Sequence, residues 1–504
     1  MTVKKIAIIG AGVSGLGAIK SCLEEGPELT CFEESFDIGG VRRYEEKSEA
    51  GKPISIYQHL QSVTSNSCKE LTAYSDYLFP DHYPNFLHHS KMMDYVRMYS
   101  DLSLTLCSQS KVSNIRKHSD FSSTGQWNVV VEADGKQKYC IFDGIMICSA
   151  YYSNPYLPLE CFPGIKKFTG LYFHSHEYKS PEKFKGKRIL VVGSWIRHRV
   201  WDNEHPQDTV LITRFKNIIK KRLSNSIINK LAEDKLNARF NHAVYGLQPH
   251  HRHQPTFGND LPSHVVAGRL LVKANVKTFT ETTAIFQDGT EEGIDIVIFA
   301  TGYTFSFPFL DNDSTVLDSQ NSLFKYVFPP QPEKPTLAFI GFMQPVGGVI
   351  PTSEIQRLNK LPSASDMTTE IKRIRNYLEK HLRDERRVQY IDYMDEIALE
   401  IGVKPRLLSL FFWDPKLALK IFFGPCTPYQ YHLQGPGKWA RARTAILTQR
   451  ECIIKPLRTQ IVRDGQLPSS VPFWLLGASM ALVIAHLTAD ISHVDLTHKS
   501  QASN

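Results

Sequence analysis

Paired cysteines are missing from this sequence. Its 504 residues include nine cysteines, but no two of them are spaced as C-x-x-C or C-x4-C. Isolated cysteines spread over a long chain are typical of reduced thiols in a cytosolic compartment. Their spacing excludes a disulfide-stapled fold and argues strongly against a dithiol oxidoreductase.

A strong charge of either sign is also missing. The chain has 59 Lys and Arg against 51 Asp and Glu, which gives a net charge of +8. The basic residues are scattered apart from one cluster, KNIIKKR at 216–222, which is typical of a solvated helix face. Nucleic-acid binding is therefore not expected.

Long apolar runs are absent except near the end of the sequence. The first residues, MTVKKIAIIGAG, lead directly into an apolar strand, so no signal peptide is expected. Residues 471–489, VPFWLLGASMALVIAHLTA, are just long enough to span a bilayer. A buried C-terminal helix is the alternative, but the Pro/Ser-rich hinge before this run favours a membrane anchor.

A glycine-rich turn follows the first strand. Lys4–Ile9 is an apolar strand, Gly10-Ala11-Gly12-Val13-Ser14-Gly15 opens a helix to about Glu25, and ELTCFE ends at Glu33. In this G-x-G-x-x-G pattern the first glycine permits a tight turn, the second admits a pyrophosphate, and the third allows close helix packing. The free N–H groups of the helix then face the phosphates, and Glu33 can accept the two ribose hydroxyls.

Glycines are missing where a second nucleotide loop is expected. The stretch GKRILVVGSWIRHRVWDN at 186–203 begins like the first strand of such a unit and reaches Gly193. No further glycine follows until Gly246. A dinucleotide-binding loop needs further glycines directly after the first, so the usual loop is not predicted here.

A second motif identifies the family that the sequence resembles. Phe168-x-Gly170-x-x-x-His174-x-x-x-Tyr178 matches the signature F-x-G-x-x-x-H-x-x-x-Y of the flavin-containing monooxygenases. With Tyr178 as the last residue of this signature, the sequence resembles the N- and S-oxidising branch of the family rather than the related Baeyer–Villiger enzymes. The resemblance covers nearly the whole chain, including NPYLPL (154–159), NARFNHAVYGLQP (237–249) and FGPCTPYQYHLQGPGKW (423–439).

The resemblance implies an activity and its cofactors. In this family NADPH reduces FAD, and the reduced flavin adds O2 to give a C4a-hydroperoxide that oxidises soft amines and sulfides, including xenobiotics. An asparagine in a Ser-Asn-Ser loop lies beside the flavin, which assigns that catalytic role to Asn66 in TSNSCKE (64–70). The cofactor-binding residues implied are Gly10, Ala11, Gly12, Val13, Ser14, Gly15, Glu33, Gly40, Val41, Arg42, Ser65, Asn66 and Gly193.

The sequence departs from the family in four segments that face the cofactors. The nicotinamide loop after Gly193 is missing, a smaller deletion lies near SEIQRLNKLP (353–362), and Val41-Arg42 replaces the usual Leu-Trp. At residues 148–150 the family has CTG and this chain has CSA. A catalytically impaired FAD-binding splice form or pseudo-enzyme is therefore the alternative to an active monooxygenase.

The fold predicted is α/β: a Rossmann-type FAD-binding domain with an inserted, truncated NADPH-binding domain and a C-terminal membrane-anchor helix. A β-meander is predicted over 126–149, a loop-rich segment over 151–185 and a charged helix over 364–403. The predicted domains are 1–155 and 299–465 for FAD, 156–298 for the truncated NADPH domain, and 471–489 for the anchor.

The predicted partners are small amines and sulfides, O2 and a membrane, with a homo-oligomer left open. The resemblance implies a place on the cytosolic side of the endoplasmic reticulum membrane. No metal is expected, because the three histidines of PHHRHQP (249–255) have no cysteine or carboxylate close enough to complete a zinc site.

Overall fold

The fold of this computed structural model combines parallel sheets with helices. It describes residues 4–43, 63–100, 106–149, 152, 154–193, 201–202, 205–237, 241–245, 261–311, 323–330, 334–356, 361–381 and 387–458. The helices of this part are α1 (Val13–Glu25), α2 (Lys69–Thr72), α3 (His89–Ser100), α4 (Phe121–Thr124), α5 (Gln207–Leu211), α6 (Arg214–Arg222), α7 (Asn225–Asn237), α8 (Leu261–Val266), α9 (Val349–Glu354), α10 (Ala364–His381), α11 (Tyr390–Glu400), α12 (Leu407–Trp413), α13 (Pro415–Phe423) and α14 (Ala442–Ile454).

The strands of the same part form several small sheets and one larger sheet. They are β1 (Lys5–Ile9), β2 (Glu28–Phe32), β3 (Leu106–Cys107), β4 (Ser110–Lys117), β5 (Trp127–Ala133), β6 (Lys136–Phe142), β7 (Gly144–Ile147), β8 (Asn154–Pro155), β9 (Leu171–His174), β10 (Ile189–Val192), β11 (Trp201–Asp202), β12 (His205–Pro206), β13 (Val276–Phe279), β14 (Thr283–Phe286), β15 (Glu291–Gly293), β16 (Ile296–Phe299), β17 (Tyr303–Thr304), β18 (Leu337–Phe339), β19 (Gln344–Val346) and β20 (Arg387–Gln389).

The larger sheet has five parallel strands in the order β18-β7-β1-β2-β3. This is the order of a dinucleotide-binding unit, with the first strand of the chain at the centre. Successive residues of β1 point to opposite faces. Ile8 packs with Leu16 and Ile19 of α1, whereas Ala7 and Ile9 pack with the antiparallel sheet β4-β5-β6. The predicted strand, glycine turn, helix and second strand are confirmed.

The predicted meander over 126–149 is partly wrong. Strands β5 and β6 form an antiparallel hairpin, but its third strand is β4, which precedes them in the chain. Strand β7 instead joins the larger sheet beside β1. Its residues GIMI form a continuous apolar run, which is typical of a parallel strand covered on both faces.

A second, smaller sheet has the order β10-β16-β9, and all its strands are parallel. Strand β9 lies inside the segment predicted to be loop-rich, so that prediction is wrong at Leu171–His174. One face of this sheet packs against the sheet β13-β14-β15 through Val297, Phe299 and Phe286. The opposite face carries Phe173, Ile296 and Ile298, with Tyr178 and Phe184 packed against them.

Strand β10 differs from β1 although their sequences are similar. Aligning Gly193 with Gly10 places Val191 at the position of Ile8. Ile8 is fully buried beneath α1, whereas Val191 is 50% exposed and Ile189 is 39% exposed. Among the described residues β10 pairs only with β16, whereas β1 has a partner on each side. The described part therefore shows neither a helix over this face nor a strand beside this edge.

The C-terminal helices pack around the larger sheet. Helix α9 lies against α1, and α13 and α14 lie against each other. The charged helix predicted over 364–403 is two helices, α10 and α11, because β20 interrupts it after residues 382–386 and pairs with β19. Lys325 lies between them and binds Glu370 at 2.6 Å and also Glu396.

The larger sheet draws its strands from the predicted segments 1–155 and 299–465. The smaller sheet draws its strands from 156–298, except that β16 ends one residue later, at Phe299. The predicted domain boundaries themselves stay predictions. All nine cysteines are free of disulfides, as their spacing predicts. No helix within the described ranges is long and apolar enough to cross a membrane, and the predicted anchor at 471–489 lies outside those ranges.

The uncovered face of β10 leads to a stability prediction. Val191→Thr should change the free energy of unfolding by no more than about 0.5 kcal/mol, because the side chain already faces solvent. The matched change Val297→Thr, in the neighbouring strand, should cost about 1–3 kcal/mol because Val297 is fully buried. Urea denaturation of both variants measures the difference, and equal costs would show that a cover over β10 exists.

Candidate functional site

The glycine turn after β1 has the backbone geometry that a nucleotide loop requires. Gly10 has a φ of +101° and donates its N–H to the carbonyl of Phe32 at 2.8 Å. A Cβ on Gly15 would lie 1.9 Å from the carbonyl oxygen of Gly10. Only glycine at residue 15 therefore lets α1 begin so close to β1.

Gly12 faces open space rather than protein. A Cβ on Gly12 would meet only the Cα of Gly40, at 3.8 Å. Gly12 precedes the first residue of α1, so a ligand in this space would meet the positive end of a 13-residue helix. The space is therefore suited to a phosphate.

The remaining residues of the turn are held by the protein itself. Ala11 is fully buried, and its carbonyl accepts the N–H of Gly39 at 3.0 Å. The carbonyl of Val13 accepts the hydroxyl of Tyr74 at 2.8 Å, and the Ser14 hydroxyl lies 3.2 Å from that of Ser353. These contacts fix the turn in place before any ligand binds.

Glu33 lies at the end of β2, directly beside the turn. Its Oε2 accepts the N–H of Ala11 at 2.7 Å, and its Oε1 accepts both the N–H of Ser35, at 3.0 Å, and the Ser35 hydroxyl. A carboxylate has about four acceptor sites, so one remains, on Oε2. The sequence predicted that Glu33 accepts two ribose hydroxyls; the carboxylate as it stands has room for one.

Residues 40–42 form a short turn against the glycine loop and carry an incompletely paired cation. The Nε of Arg42 is buried, and it has no hydrogen-bond partner within the described residues. Burial lowers the pKa of the Arg42 guanidinium. A cation withdrawn from water is costly unless an anion accompanies it. Together with the open space at Gly12, Gly40, Val41 and Arg42 fit an anionic dinucleotide.

Asn66 lies on the loop that precedes α2. Its side chain is exposed, whereas Cys68 just beyond it is fully buried. Ser65 fixes the loop, because its N–H donates to the carbonyl of Leu87 at 2.8 Å and its hydroxyl accepts the N–H of Leu87 at 2.9 Å. Asn66 is thus a presented side chain on a fixed backbone.

The loop with Asn66 and the glycine turn are connected through α2 and α9. A Cβ on Gly348, which begins α9, would lie 2.0 Å from the carbonyl oxygen of Leu71 in α2. The other end of α9 lies against α1, where a Cβ on Gly17 would contact Glu354 at 3.5 Å. The three helices therefore fix Asn66 relative to the dinucleotide loop.

Sequence reasoning missed the ionic cluster that joins these helices. The carboxylate of Glu354 binds the Lys20 ammonium at 3.1 Å and accepts the Ser75 N–H at 2.8 Å and hydroxyl at 2.6 Å. The Ser75 hydroxyl also lies 2.6 Å from Nε2 of His432. Burial alone would raise the pKa of Glu354, but Lys20, His432 and Ser75 lower it below its ordinary value. The carboxylate therefore stays ionised and locks α9 onto α1, and no spacing in the sequence indicates this.

Gly193 lies apart from this site, at the carboxyl end of β10. It has a φ of +94°, and a Cβ there would lie 2.7 Å from the carbonyl oxygen of Ala300. This end of the smaller sheet is where a second nucleotide is expected. Residues 194–200, which would form its loop, lie outside the described ranges.

The family signature has a structural role in the smaller sheet. Phe168 and His174 are buried, and a Cβ on Gly170 would lie 2.4 Å from the carbonyl oxygen of Asp295. Tyr178 stacks on Phe184 with the ring centroids 5.3 Å apart. The signature thus packs β9 against the sheet and does not present a reactive group.

A broad cleft of about 920 Å³ lies elsewhere on the smaller sheet. It is lined by residues at the amino ends of the strands, such as Leu171, Arg188 and Asp295, and by three lysines, Lys179, Lys183 and Lys187. Nucleotides bind at the carboxyl ends of such sheets, so the cleft is separate from both nucleotide sites. The histidine cluster at 249–255 lies outside the described ranges.

The sequence of this chain is similar to those of known proteins. The profile of the family described as flavin-binding monooxygenase-like matches residues 3–194 and 192–491. The two matches meet where β10 ends. Together they cover nearly the whole chain.

Two groups of curated relatives are similar over nearly their full lengths. Flavin-containing monooxygenase 5 of Cavia porcellus is 47% identical, with 96% of this chain and 100% of the relative covered. Dimethylaniline monooxygenase [N-oxide-forming] 2 of Macaca mulatta is 44% identical, with 96% and 98% covered. The first alignment extends over 536 positions, more than the 504 residues of this chain, so part of that relative has no counterpart here.

Solved structures share the fold. The S-allyl-L-cysteine S-oxygenase of Allium sativum has a TM-score of 0.60 at 22% identity, with 90% of this chain and 99% of that chain covered. Tmm of Pelagibacter sp. has a TM-score of 0.56 at 21% identity, with 86% and 95% covered. At these identities the likeness concerns the fold alone.

The two loop glycines should respond differently to alanine. Gly12→Ala should weaken flavin binding at least about tenfold, a cost of about 1.4 kcal/mol, because the methyl group occupies the ligand space. It should change the stability of the flavin-free protein by no more than about 1 kcal/mol. Gly15→Ala should cost about 1–3 kcal/mol even without flavin, because backbone must move.

Flavin absorbance after desalting and urea denaturation of the flavin-free proteins measure the two effects. Gly26→Ala is the control for flavin retention, since a Cβ there meets nothing within 4 Å. Its φ of +83° adds a backbone cost of about 1–2 kcal/mol in the denaturation measurement. Full flavin retention by Gly12→Ala would contradict the placement of the ligand.

Proposed function

Because this chain belongs to the flavin-binding monooxygenase-like family, we propose that it is a monooxygenase forming N-oxides and S-oxides of soft nucleophilic amines and sulfides, including xenobiotics. FAD and NADPH are the cofactors of such an enzyme. The observation that carries the proposal is the glycine turn at Gly10–Gly15, with its open space at Gly12. The relatives named for N-oxide formation support the substrate class.

The reaction balances with one NADPH, one O2 and one proton. NADPH would supply a hydride, one oxygen atom of O2 would form the new N–O or S–O bond, and the other would leave as water with the hydride's hydrogen and one proton from solvent. The chemistry that bound FAD supplies is acceptance of that hydride and activation of O2. No protein nucleophile or acid–base triad is needed.

The protein's own residues would bind the cofactor and orient it. The N-terminus of α1 and the Arg42 guanidinium offer positive charge to the pyrophosphate, and the free acceptor site of Glu33 suits a ribose hydroxyl. The exposed carboxamide of Asn66 is the candidate hydrogen-bond donor toward the reacting oxygen. Buried α9, held by Glu354, closes the protein side of the site and excludes water.

A second candidate function is supported by the smaller sheet. It is a FAD-binding protein of the same family that is not reduced by NADPH, such as a splice form. The open edge of β10, the exposure of Val191 and the meeting of the two family matches at 192–194 favour this candidate. It differs from the first only at hydride delivery.

Anaerobic mixing with NADPH distinguishes the two candidates. An active enzyme should lose its oxidised-flavin absorbance near ordinary NADPH concentrations, because hydride transfer reduces the flavin. Dithionite, which needs no nicotinamide site, is the control and should reduce the flavin in either case. Flavin that dithionite reduces but NADPH does not would rule out the enzyme and support the second candidate.

The proposed location is the cytosolic face of the endoplasmic reticulum membrane, with residues 471–489 as the anchor. Removing residues 471–504 should move the protein from the membrane pellet to the soluble fraction. Removing only 490–504 is the matched control and should leave it in the pellet. Retention of the longer deletion in the pellet would contradict an anchor in this run.

A further inference from the structure

Asp208 connects a distant segment of the chain to the loop that carries Asn66. The carboxylate belongs to α5, which follows the β11–β12 pair, and its Oδ2 accepts the backbone N–H of Cys68 at 2.6 Å. Its Oδ1 accepts the N–H of Thr209 at 2.9 Å. The bond to Cys68 crosses 140 residues of sequence. It therefore brings the chain beyond Gly193 back to the FAD side.

The other contacts of this loop come from its own neighbourhood. Ser65 bonds to Leu87, the Ser65 hydroxyl donates to the carbonyl of Ser67 at 3.0 Å, and the Lys69 N–H donates to the carbonyl of Asn85 at 2.8 Å. Those contacts fix the ends of the turn at residues 65 and 69. Within the described residues, Asp208 is the group from outside 63–100 that holds the turn at residue 68.

We propose that Asp208 is a positioning residue for Asn66: its carboxylate fixes the backbone at Cys68 and thereby the direction of the Asn66 carboxamide. The role rests on the proposed function, since it matters only where Asn66 acts on bound flavin. Asp208 itself touches neither the glycine turn nor Asn66. It acts on Asn66 through the backbone between residues 66 and 68.

The carboxylate is in an environment that disfavours its charge. Burial raises the pKa of Asp208 to about 6, although its bonds to Cys68 and Thr209 oppose the rise. No cation bonds to it within the described residues: the Lys69 ammonium instead donates to the carbonyls of Pro80, Asp81 and Tyr83.

The other titratable groups around Asp208 lie on α2 and on the strands before α5. The Cys68 thiol and the Glu70 carboxyl are buried on the α2 side, and burial raises the pKa of each. Strands β11 and β12 carry Asp202 and His205. Neither thiol nor carboxyl adds a positive charge, so the backbone N–H groups are the main stabilisers of the Asp208 anion.

The pH response has a definite sign. Above pH 6 the ionised carboxylate accepts both N–H groups; below it the carboxyl is protonated and its bond to Cys68 weakens. Because the folded pKa lies above the usual value of 3.8, Asp208 contributes stability at low pH that is lost as the pH rises through about 6. Order in the loop and stability of the fold therefore change in opposite directions as the pH changes.

Hydrogen exchange of peptides covering residues 63–73 tests the proposal, in flavin-loaded and flavin-free full-length protein. At pH 7.5 Asp208→Asn should speed exchange of the Cys68 amide on the order of tenfold, since a bond to a charged acceptor is lost. In the unaltered protein, exchange corrected for its intrinsic pH dependence should quicken as the pH falls from 7.5 to 5. Asp208→Glu should restore part of the protection.

Asp288→Asn is the matched control, because Asp288 is exposed and, in the part of the chain that the structure describes, bonds within its own turn at Thr290. It should leave residues 63–73 unchanged. The stability of the unaltered protein relative to Asp208→Asn should fall as the pH rises from 3.8 to about 6 in urea denaturation, and then level off. Equal Cys68 exchange with and without Asp208, or exchange in the unaltered protein that does not respond to pH, overturns the proposal.

The test remains decisive if Asp208→Asn fails to fold, because the pH series on the unaltered protein stands alone. Failure of the proposed function is seen separately, as flavin that NADPH does not reduce while the exchange difference persists. Where turnover occurs, Asp208→Asn should lower kcat more than it raises KM, since it displaces Asn66 and leaves the substrate space intact.

Discussion

The close approach of α1 to β1 is the constraint on which the rest of this structure depends. Residue 15 has no room for a side chain, because the carbonyl of Gly10 lies where a Cβ would be. That approach aims the helix N-terminus at the end of the larger sheet and leaves the space beside Gly12 free. Glu33, after β2, bonds to the same turn, and Gly40, in the following turn, lies beside the same space. Helix α9 packs on α1. Because α9 also packs on α2, it fixes the position of the loop that carries Asn66.

The second nucleotide site can be compared with the first through their leading strands, β10 and β1. Strands β1 and β10 both end at a glycine with positive φ, and both pair with a later parallel strand on one side. Only β1 has, among the described residues, a helix above it and a second strand beside it. The sequence predicts the cause directly after Gly193, in residues outside the described ranges. Each sheet has its own core, so the packing of the larger sheet is separate from that of the smaller one.

The sequence predicts the FAD side of the molecule well because its signals are local. Glycine spacing, an apolar strand and an acidic residue at Glu33 all fall within about 30 residues, the length of one βαβ unit. It predicts less where partners are distant. Strand β9 is four residues long and is a strand only because β16 lies beside it. The Glu354 cluster and the bond from Asp208 to Cys68 join residues far apart in the chain, so no spacing can indicate them. The hydrogen bonds from Ser35 to Glu33 likewise depend on side-chain rotamers, which the spacing of residues in the sequence does not specify.

The unpaired edge of β10 bears on the fate of the chain in a cell. Ile189–Val192 is apolar and, within the described ranges, has a partner strand on one side only. An edge of this kind is a template for pairing with another chain. The basic residues just before it, Lys185, Lys187 and Arg188, act as gatekeepers against such pairing. Protein quality control recognises exposed apolar strands, so we expect a chain that leaves this edge uncovered to be degraded, or held by chaperones, more readily than one that covers it.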